Sequence, residues 1–324
     1  MKIAVVGLGA VGGLVAARMA RAGHQVAGLA RGETLAVVRT KGLRVEAKDG
    51  GFSTPLRASD DGADFGPQAL VVIALKAPAL TAAAAAIAPL IGPQTIVMPA
   101  MNGVPWWFMP AAAPGEAPLD AVDPGGRLLA ALPLAQVLGC VVHLTCSSPA
   151  PGVVRHGVGE RLIVGEPKGG ASARVDAVCN ALASAGFKAE ASSDVRRDVW
   201  YKLWGNMTMN PVSALTGALT DAIVDEPLVR AFILRCMAEA AQIGALVGCP
   251  IAESGEARMA VTRELGGFRT SMLQDAEAGR VIELDALVAS VHEIGARVGV
   301  ATPNISALLG LTRLMARTRG LHPA

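Results

Sequence analysis

The chain opens on an unbroken apolar run at residues 2–6, a glycine-rich turn, and then apolar positions at helical spacing through Arg21. A short apolar run bounded by turn residues predicts a strand buried on both faces, and the 3.6-residue pattern after it predicts a helix packed on that strand. The same alternation recurs. Strands are expected at 25–29, 69–75, 95–98, 139–146, 161–165 and 188–191, a helix at 171–185, and a hairpin across 42–58 around Lys48-Asp49-Gly50-Gly51. From Asp194 the strand signal stops and helical patterns take over, at 227–247, 253–265, around 271–275 and 283–285, and from Asn304 onward. Strands alternating with helices predict a parallel sheet, and the helical remainder predicts a second layer of structure built on it or beside it.

The first turn reads Gly7-Leu8-Gly9-Ala10-Val11-Gly12-Gly13, which is G-x-G-x-x-G between a strand and a helix. Gly7 allows the tight turn, Gly9 lets a pyrophosphate approach the backbone, and Gly12 lets the helix lie close to the strand. The helix N-terminus adds unpaired N–H groups and the positive end of its dipole, so Gly7 to Gly12, with Leu8, Ala10 and Val11 between, form a predicted dinucleotide site. The second strand runs out into Ala30-Arg31-Gly32. An arginine there favours NADP(H), its guanidinium accommodating the 2′-phosphate, while Glu33 keeps NAD open. Lys76 and Asn102 also fall just beyond carboxyl ends of strands, where open parallel sheets gather ligands. The expected fold is therefore α/β, an N-terminal Rossmann-type doubly wound sheet over residues 1–193 followed by an all-α C-terminal domain over 194–324.

Lys202, Asn206 and Asn210 are spaced four apart, which stacks them on one face of a helix with Leu203, Trp204 and Met207 on its flanks. Solvated faces favour Glu, Lys and Arg, whereas asparagine is a poor helix former unless its amide holds something. A lysine and two amides on an otherwise apolar segment thus suggest a lined pocket. Pro211 predicts that the helix kinks or ends there. Residues 104–133, rich in Pro, Gly and Ala and carrying Trp106-Trp107-Phe108, read as a lid, an interface or an insertion.

Composition narrows the partners. At 52% apolar and 17% charged the chain is built to bury surface. A net charge of +2 without a run of like charge argues against nucleic acid and anionic membranes as partners. The most apolar stretch, 69–92, is interrupted by Lys76, Pro78 and Pro89 and reads as strand, turn and helix rather than a membrane span. Five scattered cysteines without CxxC spacing fit a reduced, cytoplasmic protein, and the first residues do not read as a signal peptide. His24, His143, His156, His292 and His322 lack ligand spacing, so no metal is expected. An apolar helical domain could bury a homodimer interface or only its own core.

Taken together, GLGAVGG, Lys76, Asn102-Gly103, Lys202-x-x-x-Asn206-x-x-x-Asn210-Pro211, Ser271-Met272-Leu273-Gln274-Asp275 and Glu283-Leu284-Asp285 closely resemble the ketopantoate reductases, the 2-dehydropantoate 2-reductase family, over nearly the whole chain and in matching order. The resemblance implies NADPH as reductant and reduction of the 2-keto acid ketopantoate to pantoate on the route to pantothenate and coenzyme A. It also implies Lys202 as general acid with Glu283 as its carboxylate partner, Asn206, Asn210 and Ser271 as substrate holders, and Asn102 beside the nicotinamide. Two features depart from it. Phe268-Arg269-Thr270 stands where some members carry an asparagine before the serine, and the tryptophan loop with its proline-rich insertion looks like a subgroup feature. Reduction of another bulky 2-keto acid is the alternative, and a non-catalytic NADP-binding sensor a further one, against which the complete lysine, asparagine, serine and glutamate set argues.

Overall fold

The computed structural model describes residues 1–48, 50–113 and 115–322, so Asp49 at the tip of the expected hairpin lies outside the described residues. The chain forms two compact units, one of Met1–Met101 and Gly126–Asp198, the other of Asn102–Gly125 and Val199–Ala324.

The first unit contains, in chain order, β1 (Lys2–Val6), α1 (Ala10–Arg21), β2 (Gln25–Leu29), α2 (Gly32–Lys41), β3 (Leu43–Glu46), β4 (Phe52–Thr54), β5 (Arg57–Ser59), β6 (Leu70–Ile73), α3 (Ala77–Ile87), β7 (Ile96–Pro99), α4 (Arg127–Ala131), β8 (Gly139–His143), β9 (Cys146–Ala150), β10 (Val153–His156), β11 (Arg161–Gly165), α5 (Ala173–Ser184) and β12 (Lys188–Ser192). The central sheet runs β5-β2-β1-β6-β7 with every pairing parallel. Val6 stands level with Leu29 and Ile73, and Ile73 with Pro99, so β1, β2, β6 and β7 end together along one edge. That is the Rossmann arrangement the alternation predicts.

The expected hairpin forms as β3 and β4, and it is more than a hairpin. β10 pairs with β3 in parallel and β9 with β10, giving a second sheet in the order β4-β3-β10-β9. Neither β9 nor β10 is announced by apolar alternation. β9 reads Cys-Ser-Ser-Pro-Ala, and its proline is tolerated because the strand lies at the edge of its sheet. Helix α1 fits between these two sheets. Leu14, Val15, Ala16, Ala17 and Met19 are all at most 1% exposed, and a Cβ on Gly13 would come within 2.6 Å of Val154 Cγ2. A helix covered on both sides has to be apolar around most of its circumference, which is why AVGGLVAARMA carries so little charge.

The helices of the chain beyond Asp194 are α6 (Val195–Thr216), α7 (Thr220–Asp225), α8 (Pro227–Leu246), α9 (Gly255–Glu264), α10 (Ser271–Glu277), α11 (Ser290–Arg297) and α12 (Pro303–Thr318), with a π-turn at Asp285–Ala289 leading into α11. Of the two outcomes expected at Pro211, a kink or an end, the end does not occur: α6 runs on to Thr216. The proline removes one N–H, but Val212, Ser213 and Ala214 are buried, and their packing outweighs the missing bond. Trp204 donates from Nε1 to the carbonyl of Met237 at 2.8 Å, fastening α6 to α8.

Sequence order places residues 102–125 inside the nucleotide domain, yet they pack with the helices. Trp106, Trp107 and Phe108 are no more than 2% exposed, and Phe108 stacks on Trp200 of α6 with ring centroids 5.8 Å apart. Further along, Glu293 accepts the N–H groups of Asp120 and Ala121, and Arg297 donates to the carbonyls of Ala117 and Pro118. Exposing three such rings, each on the order of 150–250 Å², would cost about 11–19 kcal/mol at about 25 cal/mol per Å². That is the scale of a whole domain's stability. The aromatic segment is therefore core of the helical unit, not a lid and not a surface for a second copy. Among the described residues no helix is long and apolar enough to cross a membrane.

Candidate active site

In the first unit the glycine turn has the shape a pyrophosphate requires. Gly7 has φ +89°, and a Cβ there would meet Leu75 Cδ2 at 2.6 Å and the Ala74 carbonyl oxygen at 2.8 Å. At Gly12 a Cβ would stand 1.9 Å from the Gly7 carbonyl oxygen, so the start of α1 closes directly over the turn. Gly9 is the opposite case. It is exposed and has nothing within 4 Å of its absent Cβ. Gly9 caps α1 without a side-chain bond, and the first turn carries no acidic residue. Open backbone, unblocked N–H groups and a positive helix end fit a dinucleotide phosphate. The residues between are used unequally: Leu8 is buried, its side chain pressing where a Cβ of Gly28 would go, so only its backbone faces the turn. Ala10 and Val11 are half-buried in the first turn of α1.

Arg31 follows β2 as the residue before α2 and is exposed, with no side-chain hydrogen bond or ion pair among the described residues. Glu33 is exposed in the first turn of α2. Lys76 follows β6 as the residue before α3, at the same edge of the sheet, and is half-buried.

The second unit holds the remaining set. On α6, Lys202 and Asn206 are half-buried and Asn210 is 5% exposed, while Trp200, Leu203, Trp204 and Met207 are buried. Lys202 Nζ donates to Asn102 Oδ1 at 2.7 Å, a partner 100 residues away in the chain. Asn102, expected beside a nicotinamide, is thus also a hydrogen-bond acceptor for the lysine. Among the described residues no acceptor meets the buried Nδ2 of Asn210. A buried donor left unpaired costs on the order of 1–3 kcal/mol. Ser271 is exposed at the first position of α10. Thr270 caps that helix, its Oγ1 accepting from Leu273 N–H at 3.2 Å, which leaves the Ser271 hydroxyl available. Glu283 is half-buried in the stretch just before the π-turn, and its carbonyl accepts from Leu287 N–H at 3.3 Å.

Burial pushes the Cys146 and Cys236 thiols up to about 12 and raises Cys179 as well, which leaves them in the unreactive thiol form. The Tyr201 hydroxyl is raised first by burial and then by its hydrogen bond to Glu253. Among the described residues no group of three or more His, Cys, Asp or Glu is arranged to hold a metal ion.

Residues 3–169 match the family profile for ketopantoate reductase PanE/ApbA, and residues 194–316 match the profile for the ketopantoate reductase PanE/ApbA C-terminal region. The chain is 42% identical to the 2-dehydropantoate 2-reductase of Mesorhizobium japonicum, over 99% of its own length and 100% of that protein. Among solved structures it superposes on a candidate ketopantoate reductase from Ralstonia solanacearum with a TM-score of 0.96 and 57% identity, covering 99% of each chain. It superposes on the 2-dehydropantoate 2-reductase of Geobacter metallireducens with a TM-score of 0.86 and 25% identity, covering 97% of this chain and 100% of that one. With a glycine turn shaped for a dinucleotide in one unit and a lysine, amide and serine set in the other, the chain belongs to the ketopantoate reductase family of NAD(P)H-binding oxidoreductases.

Proposed function

We propose that this protein reduces 2-dehydropantoate to pantoate with NADPH, the step that feeds pantothenate and coenzyme A synthesis. When bound, the nicotinamide supplies a hydride to C2 of the keto acid. The chain's own residues must then manage the negative charge that develops on the carbonyl oxygen. Lys202 donates the proton that turns this oxygen into a hydroxyl, so hydride and proton together convert C=O into CH–OH. Asn102 accepts one of the three ammonium N–H groups. Glu283 supplies the carboxylate that balances the ammonium. Asn206, Asn210 and Ser271 hold the substrate carboxylate and distal hydroxyl.

The observation that carries this reading is the buried, acceptorless Nδ2 of Asn210 on the same helix face as Lys202. An amide donor two turns along from an ammonium suits a ligand with an anionic or hydroxyl oxygen at each end. For the cofactor, the exposed guanidinium of Arg31 supports NADPH over NADH, because it offers a bidentate site for a 2′-phosphate. Five free thiols support a cytoplasmic location.

The test is consumption of reduced cofactor by the purified protein with 2-dehydropantoate, with a panel of other 2-keto acids, and with NADPH and NADH compared. Turnover of 2-dehydropantoate with NADPH is the expected result. Selective turnover of a different acid would reassign the substrate, and tight NADPH binding without turnover of any acid would end the catalytic reading.

A further inference from the structure

Two contacts behind the lysine are unaccounted for by substrate or cofactor. The π-turn shifts the backbone register, so that Ser290 N–H bonds to Asp285 O instead of reaching the carbonyl four residues back. That carbonyl, on Ala286, accepts from Val104 N–H at 2.8 Å and from the Ser290 hydroxyl at 2.8 Å. Val104 lies two residues after Asn102, and the intervening Gly103 has φ +80°. A Cβ on Gly103 would meet Ala286 at its carbonyl oxygen, carbonyl carbon and Cβ, at 2.4, 2.6 and 2.7 Å. The backbone of 102–104 is thus pressed onto the π-turn more closely than any side chain permits. From the other side, Ile282 N–H bonds to the Leu321 carbonyl at 2.9 Å, and His322 Nε2 lies 3.0 Å from Asp285 Oδ2, tying the turn to the C-terminal stretch. Ser290 is fully buried and Ala286 is 3% exposed.

We propose that Gly103 and Ser290 are positioning residues for the reduction: the π-turn at 285–289 presents the Ala286 carbonyl as a fixed dock, and the Gly103-Val104 backbone seated on it holds the Asn102 amide against the Lys202 ammonium. π-Turns concentrate at functional sites because they free a carbonyl from the helix ladder for outside use, and here the outside group is the chain segment that carries the lysine's acceptor. The same turn follows directly on Glu283, so one backbone irregularity sets the base of two polar side chains of the proposed site. The inference rests on Lys202 acting as the proton donor.

Gly103→Ala cannot keep both the positive φ and the contact with Ala286, so 102–104 must lift away. A displacement near 1 Å at a positioned group costs about a hundredfold in rate, and kcat is expected to fall by that factor, by more than the affinity for NADPH, read by cofactor fluorescence, falls with the displaced Asn102. Ser290→Ala removes only the hydroxyl from the dock and is expected to lower kcat by about fivefold with the same NADPH affinity, and Ser290→Thr, which retains the hydroxyl, should recover most of the loss. Lys202→Ala is measured alongside, where a fall of about a hundredfold or more is expected. If Lys202→Ala keeps near wild-type turnover, the proton-donor reading itself falls. If Lys202→Ala loses turnover while folded Gly103→Ala stays within twofold of wild type in kcat, only the positioning role is overturned. Should Gly103→Ala fail to fold, Ser290→Ala decides: no change in kcat, or a loss that Ser290→Thr does not recover, overturns it.

Discussion

Replacing Gly9 by alanine separates a turn that binds phosphate from one that is merely tight. No atom lies within 4 Å of the position a Cβ would occupy, and Gly9 has φ −78°, which alanine adopts without strain. Folding should therefore be unaffected, or strengthened by about 0.4–1 kcal/mol through the smaller entropy of the unfolded chain. The new methyl does occupy the space through which a pyrophosphate reaches the first N–H groups of α1. Each hydrogen bond to a charged oxygen contributes about 1.5–3 kcal/mol, so losing one raises the Kd for NADPH roughly tenfold to a hundredfold, and losing two by more. Gly12→Ala is the control with the opposite signature. Its Cβ would stand 1.9 Å from the Gly7 oxygen and 2.8 Å from Ala74 Cβ, so it should destabilise by about 1–3 kcal/mol or more as well as weaken binding. The assay is a fluorescence titration with NADPH beside thermal unfolding without it. If Gly9→Ala keeps its Kd within twofold while its Tm holds, the turn does not carry the pyrophosphate and the cofactor assignment fails.

Three further outcomes are expected. Asn210→Leu removes the acceptorless amide, so stability in urea should hold or rise by about 1 kcal/mol while the KM for the keto acid rises about tenfold; a clear loss of stability would show that the amide serves the fold. Glu239, on α8, accepts from Asn304 N, Asn304 Nδ2 and Ile305 N and so caps α12; Glu239→Ala should cost about 2–4 kcal/mol in urea unfolding, with Glu239→Gln costing less. The Glu166 carboxyl is held below its ordinary range, chiefly by hydrogen bonds from Arg174 and also by Ser172. Its contribution is therefore present above the unfolded value of about 4.3 and lost as the pH falls through the lower folded value, so the stability gap between wild type and Glu166→Gln should narrow on acidification. A gap that is the same at neutral pH and near pH 3 would contradict that assignment.

What the sequence makes legible follows from how local each determinant is. The glycine turn is readable because strand, turn and helix start are consecutive, and the tightest contact that demands Gly12, with the Gly7 carbonyl oxygen, lies within that unit. The Lys202 stripe is readable because helical periodicity alone places three residues on one face. β10 escapes because its pairing with β3 is made across about a hundred residues, and β9 because an edge strand with a proline shows no alternation of its own. Pro211 misleads in the other direction. The residue argues for a kink or an end, and burial of the turn that follows it decides against the end; that burial belongs to tertiary packing.

The same distinction explains why the lysine's neighbour could be named without its role being seen. Asn102 is conspicuous in the sequence as the residue after a Rossmann strand, which suggests that it belongs to the nucleotide. Its placement is determined elsewhere: Trp106, Trp107 and Phe108 are buried, and Phe108 stacks on Trp200 of α6, two residues before Lys202. Once those rings are seated, the chain just ahead of them is carried to the same helix, and an amide four residues before Trp106 meets the ammonium at 2.7 Å. Hydrophobic burial thus selects the partner of a polar group that local sequence rules assign to a different part of the fold. An insertion that reads as a loop because of its prolines and glycines is, in physical terms, the segment that completes the helical unit's polar site.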